Sequence, residues 1–352
     1  MKKSVLMIAL MLGCSVAFAQ KIDKNELKQL QNFLNQPAQE DATNAAALHI
    51  TDMNTPSMWE GVTVENGHVT KIDWKDKKLA GSIDLSGFTA LTSADISRNK
   101  ISGLKVNNNP ALTNLNASRN IISDFSIASA PALETLNIYR NRITNLDIAG
   151  TPAIKNINCS NNLLVSLNVA NTPSLVTLNT QGCHLEELNV SGCSNLKNLY
   201  CGYNKLTQLL LTGVDNLTNL NIGDTEITSL YIQNLPSLST FICSDNNMTS
   251  LGVSNCNALL DLVCSYNDLT TLAVQDCPNL LFVDCSYNDL TTLNLSNQTF
   301  LQRLLCNNNQ LTVLDVSFDS ALTYVNCRFN MITDFRTIGC NNLQMVACQW
   351  NY

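Results

Sequence analysis

Residues 259–279 read LLDLVCSYNDLTTLAVQDCPN, and residues 280–300 read LLFVDCSYNDLTTLNLSNQTF. The second stretch is the first displaced by 21 residues, with Leu259 and Leu280 in register. Taken as position 1, that residue also returns at Leu91, Leu112, Leu133, Ile154, Leu175, Leu196, Leu217, Leu238, Leu301, Leu322 and Leu343, with no insertion or deletion. Twelve whole units fit between Leu91 and Asn342, and a thirteenth runs to Tyr352. A fixed period of this length specifies a stacked solenoid in which each unit touches only its neighbours. Solenoids of this kind usually bind molecules rather than convert them.

The consensus unit is L-x-x-L-x-C/I-S-x-N-x-L-T-x-L-x-V-x-x-x-P-x. Positions 4 and 6 send alternate side chains of a short strand inward. Positions 11, 14 and 16 repeat that spacing, so each unit is two similar halves. Thr at position 12 in eight of twelve units favours extended backbone in the second half. Pro110, Pro131, Pro152, Pro173, Pro236 and Pro278 at position 20 mark a turn and exclude a long helix there. The expected fold is therefore a β-rich, right-handed solenoid, with parallel strands on one side and short extended segments on the other. At ~4.8 Å per coil it is roughly 60–70 Å long.

Position 9 is Asn in eleven of thirteen coils, Cys183 and Thr225 being the exceptions. An inward Asn at a strand exit can satisfy turn amides and carbonyls that no ladder reaches. The row therefore reads as structural.

The chain start carries Lys2 and Lys3, an apolar stretch from Val5 to Leu12, and Ala17-Phe18-Ala19, a small-x-small cleavage pattern. Residues 1–19 read as a cleaved secretory signal. Met11-Leu12-Gly13-Cys14 resembles a lipobox, so acylation of Cys14 is the competing reading. No later apolar run is long enough to span a bilayer. Residues 20–68 form an N-terminal cap outside the repeat. Within it, Asp23 to Asn35 reads as a helix with Asp23 as its cap and Glu26 as the reciprocal partner. Ile22, Leu27, Leu30, Phe33 and Leu34 supply one apolar stripe to close the open end of the array. Residues 69–352 make the solenoid: one irregular coil from Val69 to Ala90, the twelve regular coils, and the incomplete last one. That last coil ends on one strand, so its bare edge is expected to pair with a partner or associate end to end.

Trp59-Glu60-Gly61-Val62-Thr63-Val64, followed by Gly67-His68-Val69-Thr70-Lys71-Ile72 and Leu79-Ala80-Gly81-Ser82-Ile83, resembles the N-terminal cap of plant-type leucine-rich repeat proteins. That cap usually holds a cysteine pair, whereas no Cys occurs here between residues 20 and 158. The nested 21-residue unit resembles the bacterial leucine-rich repeat class called IRREKO. The resemblance implies an elongated, gently curved recognition protein that is secreted, periplasmic or on the cell surface.

Eight of the fourteen cysteines occupy position 6: Cys159, Cys201, Cys243, Cys264, Cys285, Cys306, Cys327 and Cys348. Equivalent residues on adjacent parallel strands stand about 4.8 Å apart and point the same way, whereas a disulfide needs converging Cβ atoms nearer ~3.8 Å. The row reads as small buried thiols. Cys256 and Cys277, in adjacent turns, are the one pair placed for a bond. Zinc binding lacks a Cys-x-x-Cys pair, and His49, His68 and His184 are the only histidines. No catalytic motif is present, and no cofactor or metal is implied. The carboxylates Asp224, Glu226, Asp245, Asp261, Asp268, Asp284 and Asp289 fall at scattered coil positions, as a solvated face does.

The net charge of −7 argues against nucleic acid, which needs a basic surface. Positions 3, 5, 7 and 8 are expected to point outward and line the concave sheet. Position 8 begins with Arg98, Arg119 and Arg140, passes Tyr203, Tyr266 and Tyr287, and ends with Phe329 and Trp350; position 3 adds Phe282, Arg303, Tyr324 and Met345. Exposed aromatics in one region mark a contact surface. The expected function is non-catalytic recognition of a protein or a polysaccharide. A structural or adhesion component without a discrete ligand site is the alternative.

Overall fold

The computed structural model describes residues 22–295 and 298–352. The signal stretch, with Cys14 and Ala17-Phe18-Ala19, lies outside the described residues. The repeat folds as a parallel β-solenoid of about 13 turns. Positions 3–5 of each coil form one strand, as in Ser93–Asp95, Asn198–Tyr200 and Met345–Ala347. These strands stack in strict register, Asn198 beside Asn219 and Leu199 beside Leu220, into one fifteen-stranded sheet. The second halves pair into separate shorter sheets of two or three strands, such as Ser229–Gln233, Ser250–Ser254 and Thr271–Gln275. The nested reading of two extended halves per coil holds. The core runs the length of the array: Leu259, Leu262, Cys264 and Leu269 of a single coil are all fully buried.

The position-9 asparagines are the staples between coils. Asn267 is buried; its Nδ2 donates to the Cys264 and Cys243 carbonyls at 3.2 and 3.0 Å, and its Oδ1 accepts the Met248 amide at 3.1 Å. Two of these partners belong to the preceding coil. Asn120, Asn162, Asn288 and Asn330 make the same set. At the first exception, the Cys183 thiol donates to the Cys159 carbonyl at 3.1 Å. At the second, the Thr225 hydroxyl turns instead to Asn246 Oδ1 at 2.6 Å.

The N-terminal end is closed by helix α1 (Lys24–Leu34) and the single-turn helix α2 (Asn44–Ala47). Leu30, Phe33 and Leu34 are fully buried, and Phe33 stacks on Trp74 at 5.9 Å. Asn44 binds the edge of the first second-half strand through the Ala80 amide and carbonyl, and Gln36 does the same at Ser82. An antiparallel strand, Val62–Glu65, precedes the first parallel pair. The expected capping box is only half present. Asp23 Oδ1 accepts the Asn25 and Glu26 amides at 2.8 and 3.1 Å. Glu26, however, is buried and accepts the Val69 amide at 2.8 Å, with His68 Nδ1 at 3.0 Å. A buried carboxylate gains more from an otherwise unmet core amide than from the helix end already served by Asp23. The Glu26 contact, first by hydrogen bond and then by charge, raises the His68 imidazole above its ordinary value.

All thirteen described cysteines are free, and eleven are buried. Burial pushes the Cys201 and Cys285 thiols up to about 12 and Cys327 to about 11. Cys348 departs from the expectation for its row: it is exposed, because its strand has a neighbour on one side only. The expected labelling pattern follows from thiolate access. In the native protein Cys348 is modified first and the half-buried Cys340 more slowly, while the remaining described cysteines wait for unfolding. Mass spectrometry after timed alkylation checks this; early modification of Cys264 or Cys285 would refute it.

Candidate binding face

The strand exit determines what the surface displays. At position 5, Asn116, Asn158 and Asn179 accept the amide two residues on, through Oδ1 at 3.1–3.2 Å. These side chains are half-buried turn caps, so position 5 contributes less to an open face than its alternation suggests. The capped turn then swings position 8 into left-handed backbone in every coil: Arg98 has φ 59°, Tyr203 55°, Tyr287 54° and Trp350 65°. Position 18, in the second half, is left-handed too, at Asn108, Ser129, Asn171, Asn234, Asn255, Asp276 and Phe318 among others. Left-handed backbone favours Gly, Asn and Asp, and costs other residues about 1–2 kcal/mol. Position 18 follows that preference except at Ser129 and Phe318. Position 8 departs from it with three Arg, three Tyr, Phe and Trp.

The side chains expected to bind fall into separate groups rather than one patch. Tyr266 and Tyr287 stack face to face at 4.3 Å with 9° between planes. Desolvation in that stack, then Tyr287 and the Asp245 and Asp284 carboxylates, raise the Tyr266 phenol above its ordinary value. Phe329 and Trp350 stack at 5.8 Å. On the strands themselves, Arg303 lies between Phe282 and Tyr324, 5.5 and 5.6 Å from their ring centres. Cation–π contact of this kind holds a guanidinium flat and leaves its edge donors free. Tyr203 is 64% exposed and joins no ring contact among the described residues. At the other end, Arg119 and Arg140 both approach Tyr139, at 5.4 and 5.6 Å, while Arg98 has no such partner among the described residues.

Tyr139 was missed in reading the sequence. It stands at position 7, where most coils carry Ser, Gly or Asn, and that contrast was the available signal. The exposed pair Tyr231 and Leu210 was missed as well, because both lie in second halves. The grooves of the surface are shallow. They line second halves, beside Leu272, Val274, Cys277 and Pro278, and beside Ile148, Pro152, Val169 and Pro173. Among the described residues, no cluster of three His, Cys, Asp or Glu offers a metal site, and no helix is long and apolar enough to cross a membrane.

No protein-family model matches the chain, and no curated protein does. Solved structures do. YopM, a leucine-rich effector protein from Yersinia pestis, superposes with a TM-score of 0.68 at 21% identity, over 93% of this chain and 87% of that one. The functional domain of InlJ from Listeria monocytogenes, which includes a cysteine ladder, gives a TM-score of 0.53 at 26% identity. The match covers 78% of this chain but only 56% of that domain. A leucine-rich repeat protein of Leptospira interrogans gives 0.57 at 18% identity, over 80% and 84% of the two chains. The chain has the leucine-rich repeat fold, and its structural neighbours include bacterial proteins.

Proposed function

We propose that this chain is a non-catalytic recognition protein of the extracytoplasmic space. It binds a protein or a polysaccharide through the first-half strands and the position-8 column. One observation carries the reading: two columns share one left-handed geometry, and position 18 fills it mostly with Asn, Asp and Gly whereas position 8 carries three Arg, three Tyr, Phe and Trp. Backbone strain retained where Asn or Gly would relieve it marks side chains kept for contact. The stacked rings and the flat Arg303 suit sugar faces or peptide aromatics alike. The basic start and Ala17-Phe18-Ala19 support export, and the nested unit supports membership of the IRREKO class. The InlJ domain, which includes a cysteine ladder, shares the fold, and the position-6 cysteine row here is a like feature.

The test uses glycine at position 8, the residue the protein itself places at Gly182. A glycan array and a pull-down compare the intact chain with Tyr287→Gly, Phe329→Gly and Trp350→Gly. The expected result is loss of the captured ligand by at least about tenfold with unfolding free energy within about 1 kcal/mol of the parent. Ligand capture that survives all three substitutions refutes the site. No specific ligand in either format favours a structural or adhesion role.

A further inference from the structure

The two outward positions flanking each buried Asn, positions 8 and 10, carry charge in a set order along the array. The first three regular coils present Arg98 with Lys100, then Arg119, then Arg140 with Arg142. The seventh to ninth present Asp224 with Glu226, then Asp245, then Asp268 beside Tyr266. All of these side chains are exposed. Between them the fourth coil presents Asn161 with Leu163, the fifth Gly182 at φ 65° with His184, and the sixth Tyr203 with Lys205, Leu163 and Tyr203 being 42% and 64% exposed.

The charges of coils one to three and seven to nine are antisymmetric about Gly182, with Lys205 the one charge outside that order. Rotate a second copy by half a turn about an axis through Gly182, perpendicular to the solenoid and lying in this ridge. Each coil then meets the coil equally far on the other side of the axis. Arg140 and Arg142 meet Asp224 and Glu226, Arg119 meets Asp245, and Arg98 and Lys100 meet Tyr266 and Asp268. Leu163 meets Lys205 and Asn161 meets Tyr203 on both sides of the axis, His184 meets its own copy, and the two glycines meet at the axis with no side chain to hold the backbones apart.

We propose that this ridge is the interface of an antiparallel homodimer, with a second copy of the chain as its occupant. Twofold interfaces are self-complementary by symmetry, and a ridge whose first three coils carry the cations and whose seventh to ninth carry the facing carboxylates meets that condition. A ridge built for a polyanion would need only the first three coils and gives no account of the ordered carboxylates beyond the axis. The proposal rests on the charge order of coils one to three and seven to nine. It shares Arg98, Arg119, Arg140, Tyr203 and Tyr266 with the position-8 column of the ligand reading, and its test reads association apart from the ligand test at Tyr287, Phe329 and Trp350.

Sedimentation velocity across a concentration series tests it, at low and at high salt. The expected species is a dimer whose dissociation constant rises with salt. Arg119→Glu and Asp245→Arg are each expected to weaken it by at least about tenfold, since each places two like-charged pairs across the axis. The double variant restores opposite charges in swapped order and returns affinity to within about threefold of the parent. Arg119 and Asp245 are both exposed, so the far-ultraviolet circular dichroism spectra are expected to stay unchanged. A monomer at every concentration overturns the proposal. So does a dimer indifferent to both reversals but broken by Trp350→Ser, which would place association at the C-terminal coil. A monomer that binds dextran sulfate through Arg98, Arg119 and Arg140 overturns it in favour of an anionic polymer.

Discussion

Replacing Asn267 with Ala is expected to lower the unfolding free energy by about 4 kcal/mol, one of the largest single-residue effects available in this chain. The Asn side chain is buried, and its oxygen is the acceptor of the Met248 amide. Alanine leaves that amide in the core without a partner, at about 1–3 kcal/mol, and deletes donors to the Cys243 and Cys264 carbonyls, at about 0.5–1.5 kcal/mol each. The neighbouring Asn247 is exposed, so Asn247→Ala should stay within about 0.5 kcal/mol. Urea titration of the three proteins measures the difference. Equal losses at Asn267 and Asn247 would mean that the ladder carries no inter-coil energy. The protein also contains the converse experiment. At Thr225 the row lacks its asparagine, so the Leu206 amide has no asparagine oxygen to reach. Thr225→Asn is therefore expected to stabilise the chain by about 1–2 kcal/mol.

That ladder was legible in the sequence because its physics repeats. A residue kept at one position of an exact period, polar and flanked by inward apolar residues, has a single structural use, and Asn267 fills it. The fold was legible for the same reason. Three features were not. Glu26 sits three residues after Asp23, as a capping box requires, and no local pattern reveals that the Val69 amide needs it more. The left-handed backbone at position 8 is hidden because Arg, Tyr and Trp are not the residues that geometry favours; the geometry is plain only beside the Asn-rich position 18. The grouping of the aromatics into Tyr266 with Tyr287, Phe329 with Trp350, and Phe282 with Tyr324 around Arg303 depends on rotamers, which a period does not encode.

Asp319→Asn is expected to make the protein more stable above neutral pH and to change it little in acid. Asp319 is buried at position 19, and desolvation, with the Asp315 charge behind it, pushes its carboxyl up to about 7 from an ordinary value of 3.8. The folded chain therefore holds this proton where the unfolded chain has released it. Stability falls as pH rises from about 4 to about 7 and is level beyond, because the folded state binds the extra proton only in that window. Each pKa unit is worth about 1.4 kcal/mol, so the loss complete by pH 8 is about 2–4 kcal/mol. Asparagine cannot ionise and removes that slope. It also suits the site: Asn109, at the same position, donates through Nδ2 to the Leu85 carbonyl at 2.8 Å, and the Cys193 and Cys340 thiols donate to the matching carbonyls of Val169 and Val316. The equivalent acceptor for residue 319 is the Leu295 carbonyl. Denaturant midpoints of both proteins from about pH 4 to pH 8 should coincide at the acid end and diverge steadily, with the variant higher. Parallel curves would show that Asp319 is ionised in the folded chain throughout, held by partners that offset its burial.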